Sequence, residues 1–190
     1  MPRTSGKIRG FSVLELMITI AVLAILVGVA LPSMRDLIAR NKISSEVNRL
    51  VSDLLLARNT AITRGTFVTI CRSSDQATCG GGPTNRFDQG WITYVSPVTR
   101  SAFASGTAGN ELLKVGELAS PEIQISTAGT QAPTFITYLP TGRIDPATSG
   151  NIVITICVNG ASTTRIPGRR LTLSVSGRPA LSEIAPTTNC

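Results

Sequence analysis

"KIRGFSVLELMITIAVLAILVGVALP" (residues 7–32) begins with two cations, turns apolar, and carries a single acid, Glu15. Phe11 to Leu31 is a run of 21 residues with only that charge. Such a run is long enough to cross a bilayer core of about 30 Å as a helix rising about 1.5 Å per residue. Arg3, Lys7 and Arg9 precede it with no acid among them, the kind of flank that stays on the cytoplasmic side. A removable export signal would end its apolar region after about 7–15 residues at a small-residue cut site. Here the run is longer and leads through Pro32 into a helical pattern, so a membrane segment over 11–31 is expected.

Glu15 is the costly residue in that segment. A carboxylate at the centre of a membrane helix costs about 2.5–3.5 kcal/mol, and one near the end costs less but still needs a partner. If the chain were cut after Gly10, a new amino terminus would lie at Phe11. An α-amino group has a pKa near 7.7–8.0, so it is largely cationic at neutral pH and suited to pair with Glu15 of a neighbouring chain. Glu15 would then be satisfied by assembly rather than by insertion.

After Pro32 the apolar residues fall at helical spacing: Met34, Leu37, Ile38, Ile43, Val47, Leu50, Val51, Leu54, Leu55, Ala61 and Ile62. Arg40, Lys42, Glu46, Arg49, Asp53 and Arg58 are expected on the opposite face, and Gly65 is the expected stop. One helix is therefore expected from about residue 12 to 64, with Gly28 and Pro32 as points where it could bend. From Thr66 onward the pattern becomes β-branched. Residues 66–71, 91–95, 134–139, 151–158 and 170–176 read as strands, 122–126 as a weaker sixth, with turn-rich segments at 79–90, 101–109 and 145–151 between them. The fold class is α+β: a long N-terminal helix packed on a C-terminal antiparallel β-sheet domain.

Cys71, Cys79, Cys157 and Cys190 all follow the apolar segment, which places them on the oxidising side. Their spacing fits no zinc pattern, and the chain has no histidine. Four cysteines leave three pairings open. The expected pair is Cys71–Cys79, closing a short loop, with Cys157–Cys190 tying down the C-terminus. Net charge is +7, or +4 once Arg3, Lys7 and Arg9 are set aside, a modest bias that does not by itself imply nucleic acid. Without histidine, a free-looking thiol or acids paired at catalytic spacing, no enzyme and no metal or other cofactor is expected.

The stretch "RGFSVLELMITIAVLAIL" resembles the class III signal of type IV pilins and type II secretion pseudopilins: a basic leader, Gly then Phe, and Glu at the fifth position after the cut. The resemblance implies a leader of residues 1–10 removed by a prepilin peptidase between Gly10 and Phe11, and methylation of the new N-terminus at Phe11. It makes Glu15 the assembly glutamate and Pro32 the helix-distorting proline. The parts would then be the leader 1–10, the helix 11–64 with its transmembrane segment 11–31, and a β-rich domain 65–190. "VTICRS" (68–73), "GW" (90–91), "ITYLPTGR" (136–143), "ITIC" (154–157) and "VSGRP" (175–179) resemble the GspH/FimT-like group of minor pilins and pseudopilins, including the FimT/FimU type. In that group subunits are scarce, sit at or near the filament tip and start assembly with other minor and major pilins. The implied location is the inner membrane, single-pass with a periplasmic domain, and then the extracellular pilus.

Two other roles come with the resemblance. One is a minor pseudopilin of type II secretion. The other is a DNA receptor in natural transformation, which in one member uses a basic C-terminal Gly-Arg-x-Arg element. Here that element stands as Gly177, Arg178, Pro179, Ala180, so the second arginine is replaced. Arg165, Arg169, Arg170 and Arg178 are the candidate phosphate contacts, which would bind DNA in a salt-sensitive, sequence-independent way.

Overall fold

The computed structural model describes residues 10–81, 85–98, 101–128, 134–145, 150–159 and 166–185, without the side chains of 29–33. Helix α1 runs Val13–Arg64 and passes through position 32 without interruption. Ser12 caps it: the Leu16 N–H donates to the Ser12 carbonyl and the Glu15 N–H to Ser12 Oγ at 3.4 Å. At the other end Gly65 takes a left-handed φ of 63°, and the Thr66 N–H reaches back to the Ala61 carbonyl, closing the helix with a Schellman-type cap. Residues up to Ile38 and residues from Ala39 onward form two separate compact units. In the first, every described side chain from Phe11 to Gly28 is exposed. Among the described residues no helix is long and apolar enough to cross a membrane; the 11–31 run extends into side chains outside that set.

In the second unit eight strands follow: β1 Phe67–Arg72, β2 Trp91–Ser96, β3 Glu111–Gly116, β4 Ile123–Ala128, β5 Phe135–Tyr138, β6 Ile152–Val158, β7 Gly168–Leu173 and β8 Pro179–Ile184. They form two four-stranded antiparallel sheets, ordered β3-β2-β1-β5 and β4-β6-β7-β8. One core joins all three layers. Ile43, Val47, Leu50, Leu54, Ala57 and Ala61 of α1 meet Val68, Ile70, Trp91 and Ile136 of the first sheet and Ile125, Ile154, Ile156 and Leu171 of the second. Each fully buried large apolar side chain contributes about 1.5–3 kcal/mol, so this seam is the main source of stability. The back of the first sheet carries a smaller core of Cys71, Ile92, Tyr94 and Phe103.

Strands β3 and β8 were not expected from the sequence. Both are edge strands with weak β composition: β3 carries Glu111, Lys114 and Gly116, while β8 opens on Pro179 and Ala180. Register shifts between β2 and β3, leaving Leu113 unpaired, and this bulge lets both charged residues of β3 face α1. Glu111 meets Arg64 and Lys114 meets Asp53.

Asp53 and Glu46 correct the expected polar face of α1, because both are buried. Asp53, fully enclosed, accepts the Trp91 indole N–H at 2.8 Å and the Lys114 ammonium. The Arg49 guanidinium lies 4.8 Å from the Trp91 ring centroid and pairs with Glu46. A Cβ on Gly116 would stand 2.3 Å from the Trp91 ring, so β3 needs glycine there to admit the indole.

Cys71 and Cys79 are joined in a disulfide. The loop it closes is built on Asp75, which accepts the Thr78 hydroxyl, the Thr78 and Ala77 N–H groups and the Ser73 hydroxyl. These bonds, the Thr78 hydroxyl first, hold the Asp75 carboxyl well below its ordinary value. Cys157 is also disulfide-bonded; Cys190, its expected partner, lies outside the described residues.

Asp53→Ala strands the Trp91 N–H and the Lys114 ammonium and is expected to cost about 3 kcal/mol, a fall of roughly 10 °C in Tm for a chain of this size. Emission from Trp91, the sole tryptophan, should shift as its N–H loses its acceptor. Because the Asp75 carboxyl is depressed in the fold, its contribution is complete above its unfolded value near 3.9 and is lost as pH falls below it. Asp75→Asn should therefore lower Tm near pH 7, where the contribution is complete, and flatten the acid limb of the Tm–pH curve, the two curves converging as the pH falls.

Candidate functional site

The residues singled out in the sequence fall at two places. At the N-terminus, Gly10 and Phe11 are exposed and precede the first helical turn. Glu15 sits in that turn, where the unpaired N–H groups of the helix favour a negative charge. Ser12 and Glu15 have capping-box spacing, a signal present in the sequence and missed there. Among the described residues no cation pairs with the Glu15 carboxylate, which can therefore take one from elsewhere. A Cβ added at Gly10 would meet nothing within 4 Å, so this chain's own packing does not require a glycine there. The side chain of Pro32 lies outside the described residues.

The second place is the β7–β8 hairpin. The Gly177 N–H donates to the Ser174 carbonyl and the Ser174 N–H to the Arg178 carbonyl, with Gly177 at φ 76°. This is a turn closed by a left-handed glycine in a bulge. Residues 139–143 repeat it: the Gly142 N–H donates to Leu139, the Leu139 N–H to Arg143, and Gly142 has φ 74°. The two Gly-Arg turns face each other. A Cβ on Gly177 would stand 2.2 Å from the Gly142 carbonyl oxygen, and that oxygen accepts Arg58 Nε of α1 at 3.1 Å. The Ile144 N–H donates to Val175 and completes the tie. Gly142 and Gly177 are therefore required by the turns they close and by their close approach to each other.

Of the candidate DNA-binding arginines, Arg169 and Arg170 fall on opposite faces of β7. Arg169 pairs with Glu183 at 2.8 Å and shares a face of β7 with the core residues Leu171 and Leu173. Arg170 is exposed on the opposite face, and Arg178 is exposed beside Gly177. Arg165 lies outside the described residues. Neither Tyr94 nor Tyr138 offers acid–base chemistry, because burial pushes both hydroxyls well above their ordinary value. Among the described residues no group of acids, cysteines and histidines could hold a metal ion.

The family profile of the Type II transport protein GspH matches residues 46–177, and that of the prokaryotic N-terminal methylation motif matches residues 6–31. The chain belongs to the GspH family. Members of this family are pilins and pseudopilins, which are structural subunits rather than enzymes. Two crystal forms of the type IV minor pilin FimU of Pseudomonas aeruginosa share the fold. One has 22% identity and a TM-score of 0.54 over 75% of this chain and 90% of that one. The other has 21% and 0.50 over 73% and 91%. The minor pseudopilin EpsH of the Vibrio cholerae type 2 secretion system is more distant, at 15% identity and a TM-score of 0.42 over 78% and 97%. A comparison with curated protein sequences gives no match. The methylation motif and the family together imply a membrane-anchored pilin or pseudopilin.

Gly177→Ala puts a side chain into both a left-handed conformation and the Gly142 carbonyl, and should cost about 3 kcal/mol. Gly65→Ala, with a similar φ but open space around it, should cost about 1 kcal/mol. Arg178→Ala should leave the thermal midpoint unchanged. Melting curves of the three variants test whether Gly177 is held by packing.

Proposed function

We propose that this GspH-family chain is a minor pilin of a type IV pilus. It is made as a precursor, cleaved between Gly10 and Phe11 by a prepilin peptidase and methylated on Phe11. It is held in the inner membrane by one pass over residues 11–31, with its β-rich domain in the periplasm, and enters the filament at or near the tip with other minor and major pilins to prime assembly. The observation that carries this reading is the first turn of α1. There a lone carboxylate, Glu15, stands five positions after a glycine around which an added Cβ would meet no described atom, at the start of a run whose side chains are exposed from Phe11 to Gly28. A neighbouring subunit's terminal ammonium supplies the charge that Glu15 lacks, and bundling covers the apolar coat. The pilus role itself is borrowed from FimU.

Secretion remains the second reading, favoured by the name of the matched family profile. A DNA-receptor role rests on Arg170 and Arg178, which are exposed and have no ion-pair partner among the described residues. It is weakened by Arg169, whose charge is taken by Glu183, and by Ala180 in place of the second arginine of the element.

Deletion of the gene should reduce surface pili and twitching while leaving enzyme export intact; lost export with normal pili would assign the chain to secretion instead. Glu15→Ala should leave processed protein in the membrane but exclude it from sheared filaments, read by immunoblot of both fractions. Normal incorporation of that variant would contradict the pairing. Gly10→Ala should block cleavage without lowering the thermal midpoint of the β-rich domain, because a Cβ at position 10 would meet no described atom within 4 Å.

A further inference from the structure

The two sheets have four edges among the described residues, and three are closed. Asn85–Phe87 covers β4, with the Phe87 N–H donating to Ile125 and the Thr127 N–H to Asn85. Ile144 and Asp145 cover β5, the Asp145 N–H donating to Thr137. β3 is bulged and turns both its charges onto α1, the usual ways of blunting an edge. Among the described residues no segment covers β8, whose protection is limited to Pro179 at its first position and to Glu183, paired with Arg169. It pairs with β7 in unbroken register from Pro179 to Ile184, and the side chains of its middle residues are exposed.

The hairpin bond from Ser174 to Arg178 fixes the alternation of the ladder. Counting from it, Ala180 and Ser182 spend their backbone groups on β7, while Leu181 and Glu183 present theirs outward. On the α1 side of this edge lies a cavity of about 290 Å³, lined by Ser44, Val47 and Asn48 of α1 with Leu181 and Glu183 of β8. Leu181 is 52% exposed there, an apolar side chain half-covered by its own fold. On the other face the edge residues are small, Ala180 and Ser182, and behind Ser182 stands Arg170. An arginine can reach across one small residue to the position beyond it. Arg170 and the hairpin's Arg178 have no ion-pair partner among the described residues, whereas the only acid of β8, Glu183, is already neutralised by Arg169. Among the described residues the unmatched charge around this edge is positive.

We propose that the β8 edge is a docking surface for an extended segment of another pilin subunit in which apolar and acidic residues alternate. The segment adds antiparallel to β8, continuing the pattern of the sheet. It bonds the outward amides of Leu181 and Glu183, seats an apolar side chain beside Leu181 and Val47, and turns a carboxylate toward Arg170 on the other face. Strand addition draws its affinity from main-chain bonds and its selectivity from alternate side chains, which is the division this edge provides. The identity of the donor as a pilin rests on the minor-pilin reading above; the recognition chemistry does not.

The test uses the full chain in detergent and a fluorescent peptide, acetyl-Thr-Val-Glu-Val-Glu-Val-Thr-amide, followed by anisotropy. Saturable binding is expected, at least about tenfold tighter than that of the same peptide with lysine in place of glutamate. Arg170→Glu should reverse that order, and Leu181→Thr should weaken both peptides. Hydrogen exchange should slow at the Leu181 and Glu183 amides when peptide is bound. Failure of the glutamate peptide to saturate would overturn the proposal, as would equal binding of a peptide N-methylated on the amides that would face β8. So would Arg170-dependent binding of a short DNA duplex without peptide binding, or Arg170-dependent dimerisation that fills the edge with a second copy. Piliation is scored separately, so these results leave the pilus reading standing or falling on its own measurement.

Discussion

Along α1 the apolar side chains change from an all-round coat over Phe11–Gly28 to a single stripe from Ile43 to Ala61, and everything else in the chain answers to that change. The stripe is the seam on which both sheets close. Without it the two four-stranded sheets would have no shared core, since antiparallel sheets of this size need an apolar partner on one face. The coat is the opposite case, a surface with no counterpart in the described fold. Soluble proteins rarely expose contiguous apolar patches beyond a few hundred Å², so an all-round apolar helix demands lipid or other helices. One element thus imposes a fixed domain at one end and an obligatory environment at the other.

The polar contacts are placed where they secure this division. Asp53 is the strongest case, a carboxylate on the core side of α1 that satisfies an indole from β2 and an ammonium from β3. A buried charge of this kind adds little net stability when it is matched, but its removal is costly. The cluster therefore enforces one arrangement of the first sheet on the helix more than it strengthens the fold. The twin Gly-Arg turns do similar work for the second sheet, locking 139–143 against 174–178 and both against Arg58. The half-exposed pairs Lys42–Glu122, Arg64–Glu111 and Arg169–Glu183 contribute little by comparison.

The long helix was legible because a stripe of apolar residues at helical spacing, ended by Gly65, leaves few alternatives. The other six strands, four interior and the edge strands β4 and β5, were legible because their runs are rich in β-branched residues. β3 and β8 escaped because an edge strand needs less apolar surface, so its sequence looks like a loop: "ELLKVG" and "PALSEI" carry little β signal. The burial of Glu46 and Asp53 escaped for a different reason. Spacing gives the face of a residue, but only the partner strands reveal that an indole and an ammonium wait on that face. At the candidate site, spacing singles out Gly10, Phe11 and Glu15 within the matched methylation motif, whereas the split of Arg169 from Arg170 is a consequence of strand pleating. Alternation sends neighbours to opposite faces, and the four arginines had been grouped by proximity in sequence.

The central claim is that the working subunit begins at Phe11, so that a terminal ammonium exists to neutralise Glu15 of a neighbour. Intact-mass and N-terminal fragment analysis of the protein recovered from sheared filaments tests it most directly. The account predicts a chain that starts at Phe11 and carries one methyl group on its amine. A filament subunit that still holds residues 1–10 would contradict it, because no ammonium would then lie beside the glutamate.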